Sequence, residues 1–182
     1  MEVVLVAAVA ENGVIGRAGG LPWRIKSDMQ RFRAMTWGRP VVVGRKTYLS
    51  FPRRPLPGRT NIIVSRSGDF AAAGAIVAPT LAAALEVARG DALRRGGDAI
   101  MVIGGADIYA QAMPLADRLE VTHIHGRHTG DTMFPAIDPA IWREAARTAH
   151  APEAGDEAGY DAATYVRVRP AGVVGDPDRR AK

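Results

Sequence analysis

The run IMVIGGADIYAQ, residues 100–111, sets a short apolar strand directly against a helical stretch, with Gly104 and Gly105 between them. An unbroken apolar run suits a strand buried on both faces, and the helical spacing that follows marks a strand-to-helix unit of a parallel sheet. Paired glycines at the junction either let a ligand approach the backbone closely or make a sharp turn. Outward from this unit the same alternation recurs. Strands are expected at 2–10 (EVVLVAAVA), 40–44, 60–65, 75–78, 99–105, 118–125, 142–149 and 163–169. Helices are expected at 27–37, 45–50, 80–94 and 106–113. Strands separated by helices require crossovers, so the expected fold is α/β: a single domain with a mainly parallel eight-stranded sheet and helices on both faces. The last two strands have no helix between them, which predicts an antiparallel hairpin at the C-terminal edge.

The chain has 182 residues, of which 47% are hydrophobic and 24% charged, enough for one domain with one sizeable core. There is no cysteine, which excludes disulfides and thiolate metal sites. The opening MEVVLVAAVA lacks a basic leader and is too short to span a bilayer, so a strand is the better reading and a cytoplasmic protein the expectation. Of the net charge of +5, three units lie beyond residue 166, where five basic residues face only Asp176 and Asp178. The domain is therefore expected over 1–169 with a basic, flexible tail at 170–182, and neither a nucleic-acid nor a membrane partner is expected.

Ligands of open α/β sheets bind beyond the C-terminal ends of the strands. Three junctions there attract notice. The first is AENGVIGRAGGLPW, residues 10–23, a loop with glycines at 13, 16, 19 and 20, long enough for a lid and carrying Ile15, Leu21 and Trp23 to pack it down. The second is VVVGRKTYLS, residues 41–50, where Gly44, Arg45, Lys46 and Thr47 open a short helix and offer two cations to a phosphate. A basic surface turn accounts for it equally well. The third is the Gly104–Gly105 pair. Neither a Walker A loop nor G-x-G-x-x-G occurs, so each signal is weak alone, yet all three converge on one sheet edge.

The stretch LPWRIKSDMQRF, residues 21–32, poses a different question. Ser27 and Gln30 have capping-box spacing for a helix start. Asp28, Phe32 and Met35 then fall on one helix face, which puts a carboxylate in an apolar stripe. An acid in a first turn favours the helix dipole and can point to solvent, but its apolar neighbours leave that account incomplete. His123, His125 and His128 have an H-x-H-x-x-H spacing with no carboxylate or cysteine at ligand spacing, so ordinary strand histidines are expected and no metal.

Together, AAVAENGVIGRAGGLPWRIKSDMQRF, PVVVGRKTYLSF, RPLPGRTNIIVSR, IMVIGGADIYAQ, LEVTHI and GDTMFP resemble, in order and spacing, the bacterial dihydrofolate reductases, over about Val3 to Arg169. The resemblance implies an NADPH-dependent oxidoreductase that reduces 7,8-dihydrofolate to tetrahydrofolate, by hydride transfer to pterin C6 with protonation at N5. It implies a role in one-carbon metabolism and in thymidylate and purine synthesis, binding of antifolates, and a monomer. By the match, Asp28 is the acid that accepts from the pterin 2-amino group and N3. Thr122 hydrogen-bonds it, Leu21 sits at the closing position of the lid, and Trp23 holds a water near the acid. Val6, Ala8, Met29, Phe32, Phe51, Arg54, Leu56 and Ile103 would line the substrate pocket, and Arg59 would bind the glutamate α-carboxylate. The cofactor side would take Ala8, Ile15, Gly16, Gly44, Arg45, Lys46, Thr47, Ser65, Arg66 and Ile103. It would also take Gly104, Gly105, Ala106, Asp107, Ile108, Tyr109, Gln111 and Thr132, with the glycine pair joined by a cis peptide. Asp131 would support the closed lid from outside the ligand contacts.

Leu21 stands where many relatives have methionine, Phe51 where a smaller aliphatic residue is frequent, and FPRRPLPGR is one residue longer than in the shortest relatives. These departures bear on the pocket mouth and inhibitor affinity, not on the reaction. A pyrimidine reductase of riboflavin synthesis shares the expected fold and cofactor but leaves Asp28 and Arg59 without a role. A polyanion-binding module acting through the tail, and a non-catalytic folate binder, are the alternatives from other classes.

Overall fold

The structure is a computed structural model that describes residues 1–168; the tail at 170–182 and the end of the last expected strand lie outside the described residues. The chain runs β1 (Glu2–Ala10), β2 (Val14–Gly16), α1 (Lys26–Thr36), β3 (Pro40–Gly44), α2 (Arg45–Ser50), β4 (Thr60–Val64) and β5 (Ile76–Ala78). It continues through α3 (Leu81–Arg94), β6 (Ala99–Val102), α4 (Ala106–Ala112), a single 3-10 turn (Met113–Leu115) and β7 (Arg118–Ile124). It closes with β8 (Thr132–Met133), β9 (Trp142–His150) and β10 (Tyr160–Arg167).

The main sheet has eight strands in the order β5-β4-β3-β6-β1-β7-β10-β9. All pairs from β5 to β7 are parallel, while β10 runs antiparallel to both β7 and β9. This is the expected architecture, with β10 inside and β9 on the edge. The alternation along β1 explains why its sequence is apolar throughout. Val3, Leu5, Ala7 and Val9 face a core shared with α3 and α4, whereas Val4 and Val6 face Phe32 and Met35 of α1 and Tyr48 of α2. Leu5, Ile100 and Leu119, on three neighbouring strands, are each fully buried, a gain of about 1.5–3 kcal/mol per side chain. Helix α3 lies flat on the sheet because Ala84, Ala88 and Ala92 repeat at one-turn spacing, all fully buried, and Thr80 caps it by accepting from the Ala83 N–H at 3.1 Å.

The structure departs from the sequence reading at four places. The Ser27–Gln30 capping box does not form. The N-cap position is Ile25, a core residue without a side-chain oxygen, and Ser27 lies inside the first turn. The cap comes instead from Asp156 in the β9–β10 loop, which accepts from the Ser27 N–H at 3.1 Å and from its hydroxyl at 2.5 Å. Strand β6 stops at Val102 rather than 105, since Gly104 has φ of +103°, far from strand geometry. Strand β10 begins at Tyr160 because ladders on both sides hold a stretch without apolar alternation. Finally, β2 and β8 pair in a small separate ribbon, each too short to show a period of two.

Candidate active site

The site is assembled at the C-terminal ends of β4, β3, β6, β1 and β7, which are neighbours in the sheet in that order. Asp28 occupies the first turn of α1, the helix that crosses from β1 to β3. Its side chain turns inward and the residue is only 7% exposed. On β7, alternation sends Leu119 and Val121 to the α3 side and Glu120 and Thr122 to the α1 side. The Thr122 hydroxyl donates to Asp28 Oδ1 at 2.7 Å. Burial pushes the Asp28 carboxyl above the ordinary carboxylate range; the Thr122 bond and the Arg31 charge pull back against it. The acid borders a cleft of about 710 Å3 that Leu21, Trp23, Ile25, Met29 and Asp156 also line.

One wall of this region is a single apolar cluster between the sheet and helices α1 and α2. It joins Val6 and Ile103 with Phe32, Phe51 and Leu56. Met29 is exposed at the cleft, and Ala8 packs in a neighbouring cluster with Trp23. Arg59 extends over Phe32 and Trp37, 6.0 and 5.8 Å from the ring centres, held by Nε on the Pro57 carbonyl at 3.0 Å and by Nη1 on the Thr36 hydroxyl at 2.9 Å. It has no carboxylate partner among the described residues, and burial together with Arg33 lowers its proton affinity. Arg54 is different: it is exposed and its guanidinium bonds back to the Leu49 carbonyl of its own segment.

On the other side, Gly44, Gly104 and Gly105 bring two strand ends into close contact. The Gly44 N–H donates to the Gly104 carbonyl at 2.7 Å, and the Gly104–Gly105 peptide is cis. A Cβ on Gly105 would come 2.7 Å from Thr47 Oγ1, and one on Gly104 would come 2.9 Å from the Tyr109 ring. Tyr109 itself is buried, and its hydroxyl donates to the Val6 carbonyl at 2.6 Å. Ile108 packs in the same core, whereas Ala106 is half-buried and Asp107 and Gln111 are exposed along α4. Arg45, Lys46 and Arg66 cluster beyond β3 and β4 with no ion-pair partner among the described residues, beside the buried Ser65. Such a row of cations, hydroxyls and side-chain-free backbone fits a phosphate-bearing dinucleotide.

The loop from Glu11 to Ile25 is pinned at its base. Gly16 pairs with Thr132, the Phe134 N–H donates to the Gly13 carbonyl at 2.9 Å, and Ile15 packs on the main core. Trp23 is buried against the edge of His128, ring centres 5.1 Å apart, while Leu21 at the tip is 53% exposed. Asp131 accepts from the Ala18 N–H at 2.9 Å, and this bond chiefly holds its carboxyl below the usual range. The three histidines have separate partners: His123 meets Tyr165, His125 meets Asp161, and His128 meets Trp23.

Sequence reasoning missed four participants. Arg31 and Glu120 form an ion pair at 3.4 Å beneath Thr122. Asp156 caps the helix that carries Asp28 from well over a hundred residues away. Gly130 sits where a Cβ would overlap Val14 and the Gly16 carbonyl. Matched spacings carried the only advance signal: Asp28 and Arg31 lie one turn apart, and Glu120 and Thr122 two apart on a strand.

The family model described as dihydrofolate reductase matches residues 2–167. The dihydrofolate reductase of Neisseria meningitidis is 48% identical over 148 residues, covering 81% of this chain and 88% of the relative. The type 3 dihydrofolate reductase of Salmonella typhimurium is 44% identical over 150 residues, covering 82% and 88%. Among solved structures, the dihydrofolate reductase of Enterococcus faecalis complexed with NADP(H) and RAB-propyl superposes with a TM-score of 0.81 at 31% identity, covering 92% of this chain and 97% of that one. On these matches, the chain belongs to the dihydrofolate reductase family.

Proposed function

We propose that this chain reduces 7,8-dihydrofolate to 5,6,7,8-tetrahydrofolate with NADPH as reductant, acting as a single chain in the cytoplasm. The observation that carries this is Asp28, a buried carboxylate bordering a cleft with one oxygen held by Thr122. A carboxylate in that position is costly unless a ligand brings donors to it. The pterin 2-amino group and N3–H are such a pair, and the attraction grows as N5 gains a proton and the ring becomes cationic. Asp28 thus orients the ring and stabilises positive charge from its far edge, while N5 takes its proton from water admitted past Leu21 and Trp23.

NADPH, when bound, supplies the hydride that reaches C6. Arg45, Lys46, Thr47, Ser65 and Arg66 would hold its phosphates, Gly44, Gly104 and Gly105 would let its backbone lie close to the sheet, and Ala106 to Gln111 and Thr132 would border it. Arg59 would take the glutamate α-carboxylate with the guanidinium hydrogens not spent on Pro57 and Thr36, having no carboxylate partner among the described residues. Val6, Ile103, Phe32, Phe51 and Leu56 would exclude water around the ring and the aminobenzoyl group. Arg54, bonded back to the Leu49 carbonyl at the end of α2, would act at most on the outer rim. The same cleft would accept antifolate inhibitors.

NADPH oxidation on adding dihydrofolate tests the assignment. Turnover that Asp28→Asn lowers steeply at neutral pH is expected. A folded protein that binds NADPH without oxidising it in the presence of dihydrofolate would move the pyrimidine-reductase reading to the front.

A further inference from the structure

Behind the acid lies a chain of polar contacts that the proposed reaction does not itself require. Thr122 Oγ1 donates to Asp28 Oδ1 at 2.7 Å and accepts from Arg31 Nη1 at 3.2 Å. The other nitrogen, Nη2, reaches Glu120 Oε2 at 3.4 Å, and Glu120 is in turn held by the Thr164 hydroxyl at 3.0 Å and by Arg118 at 3.5 Å. Glu120 is buried, and Thr164 sits directly opposite it in the β7–β10 ladder. Arg31 is therefore gripped from below by a fixed carboxylate and faces the underside of the hydroxyl that holds the acid.

A hydroxyl has one proton to give and lone pairs to receive, whereas a guanidinium only donates. With Arg31 donating to its oxygen, Thr122 has a lone pair engaged and its proton free for Asp28. Without Arg31, both lone pairs are open and the same hydroxyl turns more readily to accept a hydrogen bond from a neutral Asp28. We infer that Arg31, anchored by Glu120, is a positioning residue that fixes the Thr122 hydroxyl toward Asp28 and so keeps this acid in the ionised form that a pterin needs.

The other charged groups around Asp28 oppose one another. Asp156 at the head of α1 disfavours a second anion, while His150 at the end of β9 favours it. Arg31 comes from the helix of Asp28 itself and Glu120 from the strand beneath, and among the described residues Arg31, anchored by Glu120, is the charged group coupled to the acid through a shared hydroxyl. Burial raises the acid, and after Thr122 it is Arg31 that most lowers it.

The inference concerns the same site as the reductase reading, and its test is independent of turnover. The Asp28 carboxyl is titrated in the ligand-free protein by carbon NMR, its signal assigned by loss in Asp28→Asn. Arg31→Gln is expected to move the midpoint up by about one pH unit, and Arg31→Lys to recover at least half of that shift. Arg31→Met replaces the Gln variant if the latter does not fold. In a Thr122→Val background, the Arg31→Gln shift is expected to shrink to less than half. An unmoved midpoint in folded Arg31→Gln overturns the inference. An equal shift with and without the threonine hydroxyl also overturns it, since Arg31 would then act through space alone. Absence of turnover in the parent protein, with these shifts intact, would count against the reductase reading and leave the inference standing.

Discussion

Replacing Asp28 by Asn should make the ligand-free protein more stable and the enzyme nearly inactive. The carboxyl is buried, has a single hydrogen bond among the described residues, and is raised chiefly by desolvation. A folded-state value above the unfolded 3.8 means that the native state binds the proton more tightly than the unfolded one. The acid therefore costs nothing below that value, destabilises increasingly as pH rises toward the folded value, and destabilises by a constant amount above it. Asn removes the charge at equal size, so urea unfolding at neutral pH should show a gain of about 1 kcal/mol, falling toward zero once the pH drops below the unfolded value. Catalysis moves the other way. Two charge-assisted hydrogen bonds to the pterin, at about 1.5–3 kcal/mol each, correspond to a loss of at least about 10²-fold in kcat/KM. A neutral-pH destabilisation of Asp28→Asn would refute the argument, since it would mean that Thr122 and Arg31 more than offset burial.

The remaining expectations follow from the cradle, the arginine clamp and one helix cap. Gly105→Ala places a methyl 2.7 Å from Thr47 Oγ1, and overpacking of about 1–3 kcal/mol should weaken NADPH binding by roughly tenfold or more in a fluorescence titration. Arg59→Ala should raise KM for dihydrofolate about 10- to 100-fold with kcat little changed, because its contact is made equally in ground and transition states; an equal fall in kcat would place Arg59 nearer the chemistry. Thr80→Ala deletes the cap of α3 and should lower stability by about 1 kcal/mol in urea with turnover unaltered.

What the sequence reveals and what it hides divide along a physical line. Strands such as PVVVG and AIMV are legible because burial on both faces demands unbroken apolar residues, and α3 because its alanines repeat at helical spacing. Asp28 is legible for the opposite reason, as a charge in an apolar stripe. Polar pairing across long separations leaves no such trace. Ser27 reads as a capping residue, yet its partner Asp156 comes from the last hairpin, and no local rule connects them. The β2–β8 ribbon is invisible because two or three residues cannot display a period. The cations proposed to hold phosphate are visible as residue types, but it takes the order β4-β3-β6 to bring Arg66, Arg45 and Gly105 to one edge.

Among the described residues, the helix that carries the acid is held differently from α3. The two buried residues of α1 are Asp28 and Thr36, both polar, whereas α3 buries a row of alanines and leucines. Phe32 and Met35 are only half-buried, packed against the cluster of Val4, Val6 and Tyr48. The helix is therefore fastened by polar ties at each end and in the middle: Asp156 on Ser27, Thr122 on Asp28, Glu120 on Arg31, and Arg59 on Thr36. Each tie is directional, so it fixes the rotation and height of the helix more sharply than an apolar contact of equal strength would. That is what the role proposed for Asp28 requires, since its carboxylate would have to meet two donors on a flat ring within a fraction of an ångström. The same choice forgoes apolar burial on α1, so a helix tuned for placement contributes less to stability than its length would allow, and the core on the α3 side, packed from Leu5 to Leu119, supplies the rigidity it leans on.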